Sequence, residues 1–208
     1  MLKTLVKCFW VFLIGSFMGC VIEEIWCLIR NKCFQIRSSL IHMPLIPIYG
    51  FASLIIVLIA DRAGYNLWKV FIVGAVVATI VEYSCSYIQE KIFHTKSWDY
   101  SDYKFNLNGR VNLVYSIGFG LFSVLLIKQI NNAVLLMDAH TNDILFYIMT
   151  LVVFLFFIFD VIISSFACYR QRMRKEGIES KNIFEKYIDR KYPDSKLDKI
   201  YNNSVYIG

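Results

Sequence analysis

Between Glu82 and Asn112 the chain collects the side chains best suited to chemistry: Glu82, Glu90, His94, Asp99, Asp102, Asn106, Asn108, Arg110 and Asn112. Phe93, Trp98, Tyr100, Tyr103 and Phe105 are interleaved with them. A loop of this composition is expected to fold against the protein rather than trail in water. Carboxylates with one imidazole could hold a divalent cation and serve phosphate or pyrophosphate chemistry. The candidate ligands are His94, Asp99 and Asp102, with Glu90 one turn before the histidine. One histidine and irregular spacing argue against a metal centre, so no cofactor is expected and a divalent cation is the one option left open. Arg110 follows the turn dipeptide Asn108-Gly109, which reads as a helix entrance. Its guanidinium could clamp an anion or snorkel to a membrane interface.

More ionisable groups lie inside apolar stretches. Gly15, Gly19, Glu23 and Cys27 repeat every four residues, with Ser16, Cys20 and Glu24 on the adjacent row. The Gly15-x-x-x-Gly19 spacing permits close helix approach. A carboxylate in mid-membrane costs about 2.5–3.5 kcal/mol, so Glu23 and Glu24 must face a partner or water. Arg30, two turns on, is one candidate partner. Thr79, Glu82, Ser86 and Gln89 form a second polar line, and Asn112, Ser116, Gly120 and Ser123 a third. Such stripes must look into a bundle, not into lipid. Asp160, ahead of Ser164 and Ser165, suits a structural role as well as a functional one.

These groups need elements to hold them. Of 208 residues, 57% are apolar, far more than a soluble domain carries. A membrane-crossing helix takes roughly 20 apolar residues. Five stretches fit: about 8–29, 43–60, 68–90, 111–128 and 144–168, the first too long and too uncut to be a signal segment. The expected fold is an all-α polytopic membrane helix bundle of about five transmembrane helices, residues 1–168, with a structured aromatic and polar loop and a basic, amphipathic tail over 169–208. Pro44 and Pro47 make the start of the second span irregular. Trp98 and Tyr100 are at home in a headgroup belt.

The net charge of +6 has a local source: Arg170, Arg172, Arg174 and Lys175 follow the last span. A juxtamembrane basic cluster marks the cytoplasmic face and attracts anionic lipid, so the lipid bilayer is the expected partner and nucleic acid is not. The tail then lies in the cytoplasm with segments 30–42, carrying Arg30, Lys32 and Arg37, and 91–110. Arg62 falls on the opposite face. Apolar residues from Ile178 to Tyr201 suit one or two short amphipathic helices broken at Pro193. Six scattered cysteines, among them Cys33, form no CxxC pair and read as reduced packing residues.

Glu23 and Glu24, Glu82 and Glu90, and Arg110 and Asn112 all fall at helix ends on one side, where the second span also starts. A shared polar cavity is therefore expected, lined by Glu23, Glu24, Tyr49, Glu82, Glu90, His94, Trp98, Asp99, Asp102, Asn108, Arg110 and Asn112. No GxxxxGK[ST] loop, GxSxG elbow or HExxH pair occurs. The chain resembles a family of small bacterial integral membrane proteins named "putative ABC-transporter type IV", or CmpB-like permeases. The resemblance rests on Phe12-x-x-Gly15, Gly19, Glu23-Glu24, Pro44-Leu-Ile-Pro47-Ile-Tyr-Gly-Phe51, Glu82-Tyr83 and Glu90-Lys-Ile-Phe93-His94. It continues through Trp98-Asp-Tyr-Ser-Asp102 and Asn106-Leu-Asn-Gly-Arg110. It covers about residues 9–128; Met43 and Ala52 stand where the family tends to have glycine. It implies a transport component of the bacterial inner membrane served by a separate ATPase subunit, and leaves substrate and oligomeric state open. The alternatives are a membrane-embedded enzyme acting on a lipid or lipid-linked phosphate, and a non-catalytic accessory protein.

Overall fold

The computed structural model describes residues 1–32, 39–63, 66–140 and 143–207, without the side chains of residues 30, 31, 61–63 and 138. The expectations placed on Arg30, Cys33, Arg37 and Arg62 therefore lie outside the described residues. The chain folds as α1 (Leu2–Asn31), α2 (Pro47–Ala63), α3 (Leu67–Phe93), α4 (Leu113–Ala139) and α5 (Ile144–Lys175), followed by α6 (Ile183–Lys191) and α7 (Asp194–Ile200). Two-residue strands make two small ladders: β1 (Thr95–Lys96) with β4 (Val205–Tyr206), and β2 (Asn106–Leu107) with β3 (Val111–Asn112).

Helices α1, α3, α4 and α5 are long and apolar enough to cross a membrane. The expected second span differs. It begins at Pro47 rather than at 43 and has 17 residues, about 25 Å of helix against a hydrocarbon core of about 30 Å. Pro47 stands at the first helical position, where its missing N–H costs nothing. The residues before it are held by tertiary contacts, with the Ile46 amide donating to the Ser16 carbonyl at 3.1 Å. The other helices outrun their apolar stretches, α4 reaching Ala139 and α5 reaching Lys175.

Helix α1 is the most enclosed: 44% of its most apolar stretch is buried, against 17% for α3 and for α5. The glycine spacing explains its place. A Cβ on Gly15 would meet Ser53 Oγ at 2.5 Å, and one on Gly19 would enter the ring of Tyr49. Gly50 returns the favour, its Cα lying against Ser16 and the Phe12 carbonyl. Helices α3 and α4 close the same way, Gly74 against Ser123 and Gly120 against the Phe71 carbonyl. Helix α5 instead meets α1 through rings, Phe9 with Phe154, Phe12 with Phe157 and Trp10 stacked on Phe146. Its outer face, with Ile148, Leu151, Val152, Leu155 and Ile162 exposed, is left for lipid.

The basic run at the end of α5 is paired within the fold. Arg170 gives a bidentate pair to Asp189 (3.1 and 2.8 Å), and Arg174 bonds Asp189 and Asp194. Arg172 reaches Glu176 and the Ile92 carbonyl. Ile188, Tyr192 and Leu197 are buried against Ile163 and Ala167. The break between α6 and α7 falls at Pro193 as expected. Burial acts to raise the Asp189 carboxyl, but hydrogen bonds from Arg170 and Arg174 outweigh it and hold the group below the usual carboxylate range. A depressed carboxyl stabilises the fold above its unfolded value and stops doing so as pH falls through the folded one. Hydrogen exchange in α6, corrected for intrinsic rate, should stay flat from pH 8 to 5 and accelerate only below about pH 4. Protection unchanged down to pH 2 would show that these pairs do not hold the tail.

Segments 39–46 and 94–112, the end of α5 and the tail all meet on one side of the bundle. Asp160 of α5 bonds the amides of His42 and Met43, His94 Nδ1 lies 3.3 Å from Glu176, and the Ile207 amide donates to the His94 carbonyl.

Candidate functional site

Gly19 makes the first half of the site. With no Cβ there, the Tyr49 ring lies flat against α1, and its hydroxyl donates to Glu23 Oε1 at 2.7 Å, one turn further along that helix. The polar line of α3 makes the second half. Thr79 Oγ1 donates to Ser116 Oγ of α4 (2.7 Å), and Glu82 Oε1 accepts from the Tyr100 hydroxyl (3.0 Å). Ser86 accepts from Arg110 Nη1 (3.1 Å), and Gln89 donates to Thr95 and Ser97. Tyr100 stacks on Tyr115 of α4 with ring centres 4.7 Å apart. Burial first, then Glu82, Tyr115 and Glu23, push the Tyr100 phenol above its ordinary range. Glu23 is thus within electrostatic reach of the Glu82–Tyr100 pair.

Four groups from α1, α2, α3 and the loop therefore share one neighbourhood: Glu23, Tyr49, Glu82 and Tyr100. Beside them a cavity of about 50 Å³ opens between α1, α2, α3 and α4, lined by Ile22, Tyr49, Ser53, Ala78, Phe119 and Ser123 among others. Its walls are chiefly apolar, and Tyr49 belongs to both cavity and acid cluster.

Arg110 anchors the loop one turn beyond. Its Nη2 lies 2.6 Å from Glu90 Oε2, an ion pair not aligned as a hydrogen bond. The guanidinium also sits over the rings of Tyr83 and Tyr87. Trp98 is half-buried and donates its indole N–H to the Arg110 carbonyl at 2.9 Å. Asn108 and Gly109 both have positive φ (54° and 66°) and lie in the hairpin turn between β2 and β3, separated from α4 by Arg110 and β3 rather than at its entrance. The Asn108 amide reaches the Tyr83 hydroxyl (2.9 Å). Asn112, 1% exposed, caps α4 by accepting from the Val114 amide and ties the loop by donating to the Lys104 carbonyl.

The rest of the anticipated lining lies apart. Glu24 accepts a long contact from the Cys20 thiol (3.8 Å) on the neighbouring row of α1. Asp99 is exposed and bonded to the Ser101 amide and hydroxyl. Those bonds, the hydroxyl's first, keep its carboxyl below the usual range. Asp102 is exposed, and His94 turns towards Glu176 and Tyr206. His94, Asp99 and Asp102 thus do not converge, and among the described residues no three metal-binding side chains do. Residue spacing did not reveal Tyr115, which completes the tyrosine stack, or His42, bound to Asp160. An aromatic residue opening a polar-lined helix was the signal for Tyr115; a histidine beside Pro44 was the only one for His42.

The family described as "Putative ABC-transporter type IV" matches residues 10–165. The chain belongs to that family. The match runs well past the 9–128 carried by the motifs and takes in most of α5, Asp160 included. No curated protein and no solved structure matches the chain. Family and fold together make this a multi-pass, transport-related membrane protein, and the acid–tyrosine cluster falls within the family's matched region.

Proposed function

We propose that this chain is a permease-type subunit of a bacterial inner-membrane transporter. Its loop 94–112 and tail face the cytoplasm, and a separate ATPase chain drives it. The observation that carries this reading is the gathering of Glu23, Tyr49, Glu82 and Tyr100 from three helices and a loop beside a cavity between them. Ionisable groups at membrane depth are expensive unless they serve a pathway or a partner. Lys and Arg of segment 91–110 and of the tail supply the inward bias. The 208 residues contain no GxxxxGK[ST] loop, so in this reading the ATP is hydrolysed outside them. The enzymatic alternative loses its anion clamp, because Arg110 is engaged by Glu90 and Ser86.

The test is ATP hydrolysis in a complex purified through this chain. The wild type should retain a partner whose hydrolysis depends on it. Glu82→Gln should keep the partner and the melting temperature but lose at least tenfold in coupled hydrolysis, about 1.4 kcal/mol of barrier. No ATP-hydrolysing partner under any mild solubilisation, or a Glu82→Gln complex as active as the wild type, would end this reading.

A further inference from the structure

Glu82 has a peculiarity that membrane placement alone does not explain. It is 6% exposed, and while Oε1 receives the Tyr100 hydroxyl, Oε2 is enclosed and meets no donor at all. Among the described residues no Lys, Arg or His bonds it; the Arg110 guanidinium, which reaches Ser86 one turn along α3, is taken by Ser86 and Glu90. The groups around it are Glu23 from α1, Tyr49 from α2 and Tyr100 from the loop, with Tyr115 of α4 stacked behind Tyr100. None of them is a cationic side chain, and Glu23 is a second acid. A carboxylate anion with a bare, buried oxygen beside a second acid is about the costliest state such a side chain can hold.

Something positive is therefore missing from Oε2. A divalent cation does not suit the place, for it needs six or more oxygens, several of them charged. A hydrated monovalent ion needs room, and Oε2 has essentially no free surface. The cation that fits without space or further ligands is the hydron. We propose that Glu82 Oε2 is a proton-binding site sealed by Tyr100. In the sealed state the side chain is the neutral acid, Oε1 accepting from Tyr100 and Oε2 bearing the proton. Loss of that proton to water would leave a carboxylate beside a second acid, Glu23. This deepens the transport reading by naming a charge the site exchanges, but its test needs no transport.

Infrared difference spectra of the purified full chain at pH 7 provide that test. The wild type should show a protonated-carboxyl stretch that Glu82→Gln removes; Tyr100→Phe should keep the band and shift it, because only the bond to Oε1 is lost. Glu82→Gln, which mimics the neutral acid, should melt within a degree or two of the wild type, whereas Glu82→Ala should melt well below both. A spectrum unchanged by Glu82→Gln overturns the proposal. So does a Glu82→Gln protein as unstable as Glu82→Ala, or one that does not fold. The band with no ATPase partner would sink the transport reading alone; a partner without the band would sink only this inference.

Discussion

Replacing Asp160 by Asn should lower stability more than any other single polar change in the bundle, by about 3–5 kcal/mol. Asp160 is fully buried in α5 and accepts from every side. Met43 N donates at 2.7 Å, His42 N to both oxygens at 3.1 and 3.2 Å, and Ser164 Oγ at 3.1 Å, while His42 Nδ1 lies at 2.8 Å. The carboxylate thereby closes the irregular chain that leads into α2, where Pro44 and Pro47 forbid ordinary helical bonding. An amide has one acceptor oxygen, and its NH₂ would confront donors with a donor. The damage should spread to the tail, because the other nitrogen of His42 lies 3.2 Å from the hydroxyl of the buried Tyr192. Thermal unfolding in detergent, with limited proteolysis of 39–46 and of α6, checks both parts. A loss below about 1 kcal/mol, or a tail as protected as before, would contradict this account.

The second large effect is steric. Gly19→Val should cost about 1–3 kcal/mol and, more tellingly, should dislodge Tyr49 from Glu23. The new Cβ would occupy the Tyr49 ring, which is pinned by its hydroxyl on one side and by Phe119, 6.1 Å away edge to face, on the other. Gly118→Ala is the matched control, since a Cβ there meets nothing within 4 Å. It should be neutral or stabilising by up to about 1 kcal/mol, as glycine is a poor helix former. Melting curves of the two variants should diverge in sign. Equal behaviour would mean that α1 and α2 are not held by this close approach.

What could be read without coordinates follows a physical divide. The long helices were legible because apolar length and four-residue polar lines are local patterns; Thr79, Glu82 and Ser86 do face α4 and the loop. The short α2 was less legible, because the chain leading into it is held at His42 by a carboxylate 118 residues further on. The acid cluster was half legible. Glu23, Tyr49 and Glu82 advertised themselves by type and depth, whereas Asp99 and His94 looked equally chemical yet serve a turn and tail contacts, and Asp102 is exposed. The basic run of Arg170 and Arg174 was legible as charge but not as contacts. Their partners within the fold, Asp189 and Asp194, lie in the tail and become visible only once it folds back.

The β1–β4 ladder has a practical consequence. Thr95 and Lys96 pair with Tyr206 and Val205, so the carboxyl-terminal residues are stitched to the same loop that carries Tyr100. An affinity handle fused behind Tyr206 would pull on that stitch, whereas one placed ahead of Leu2 hangs from the far end of α1. Handles at the two ends should therefore not be interchangeable in any assay that depends on Glu82.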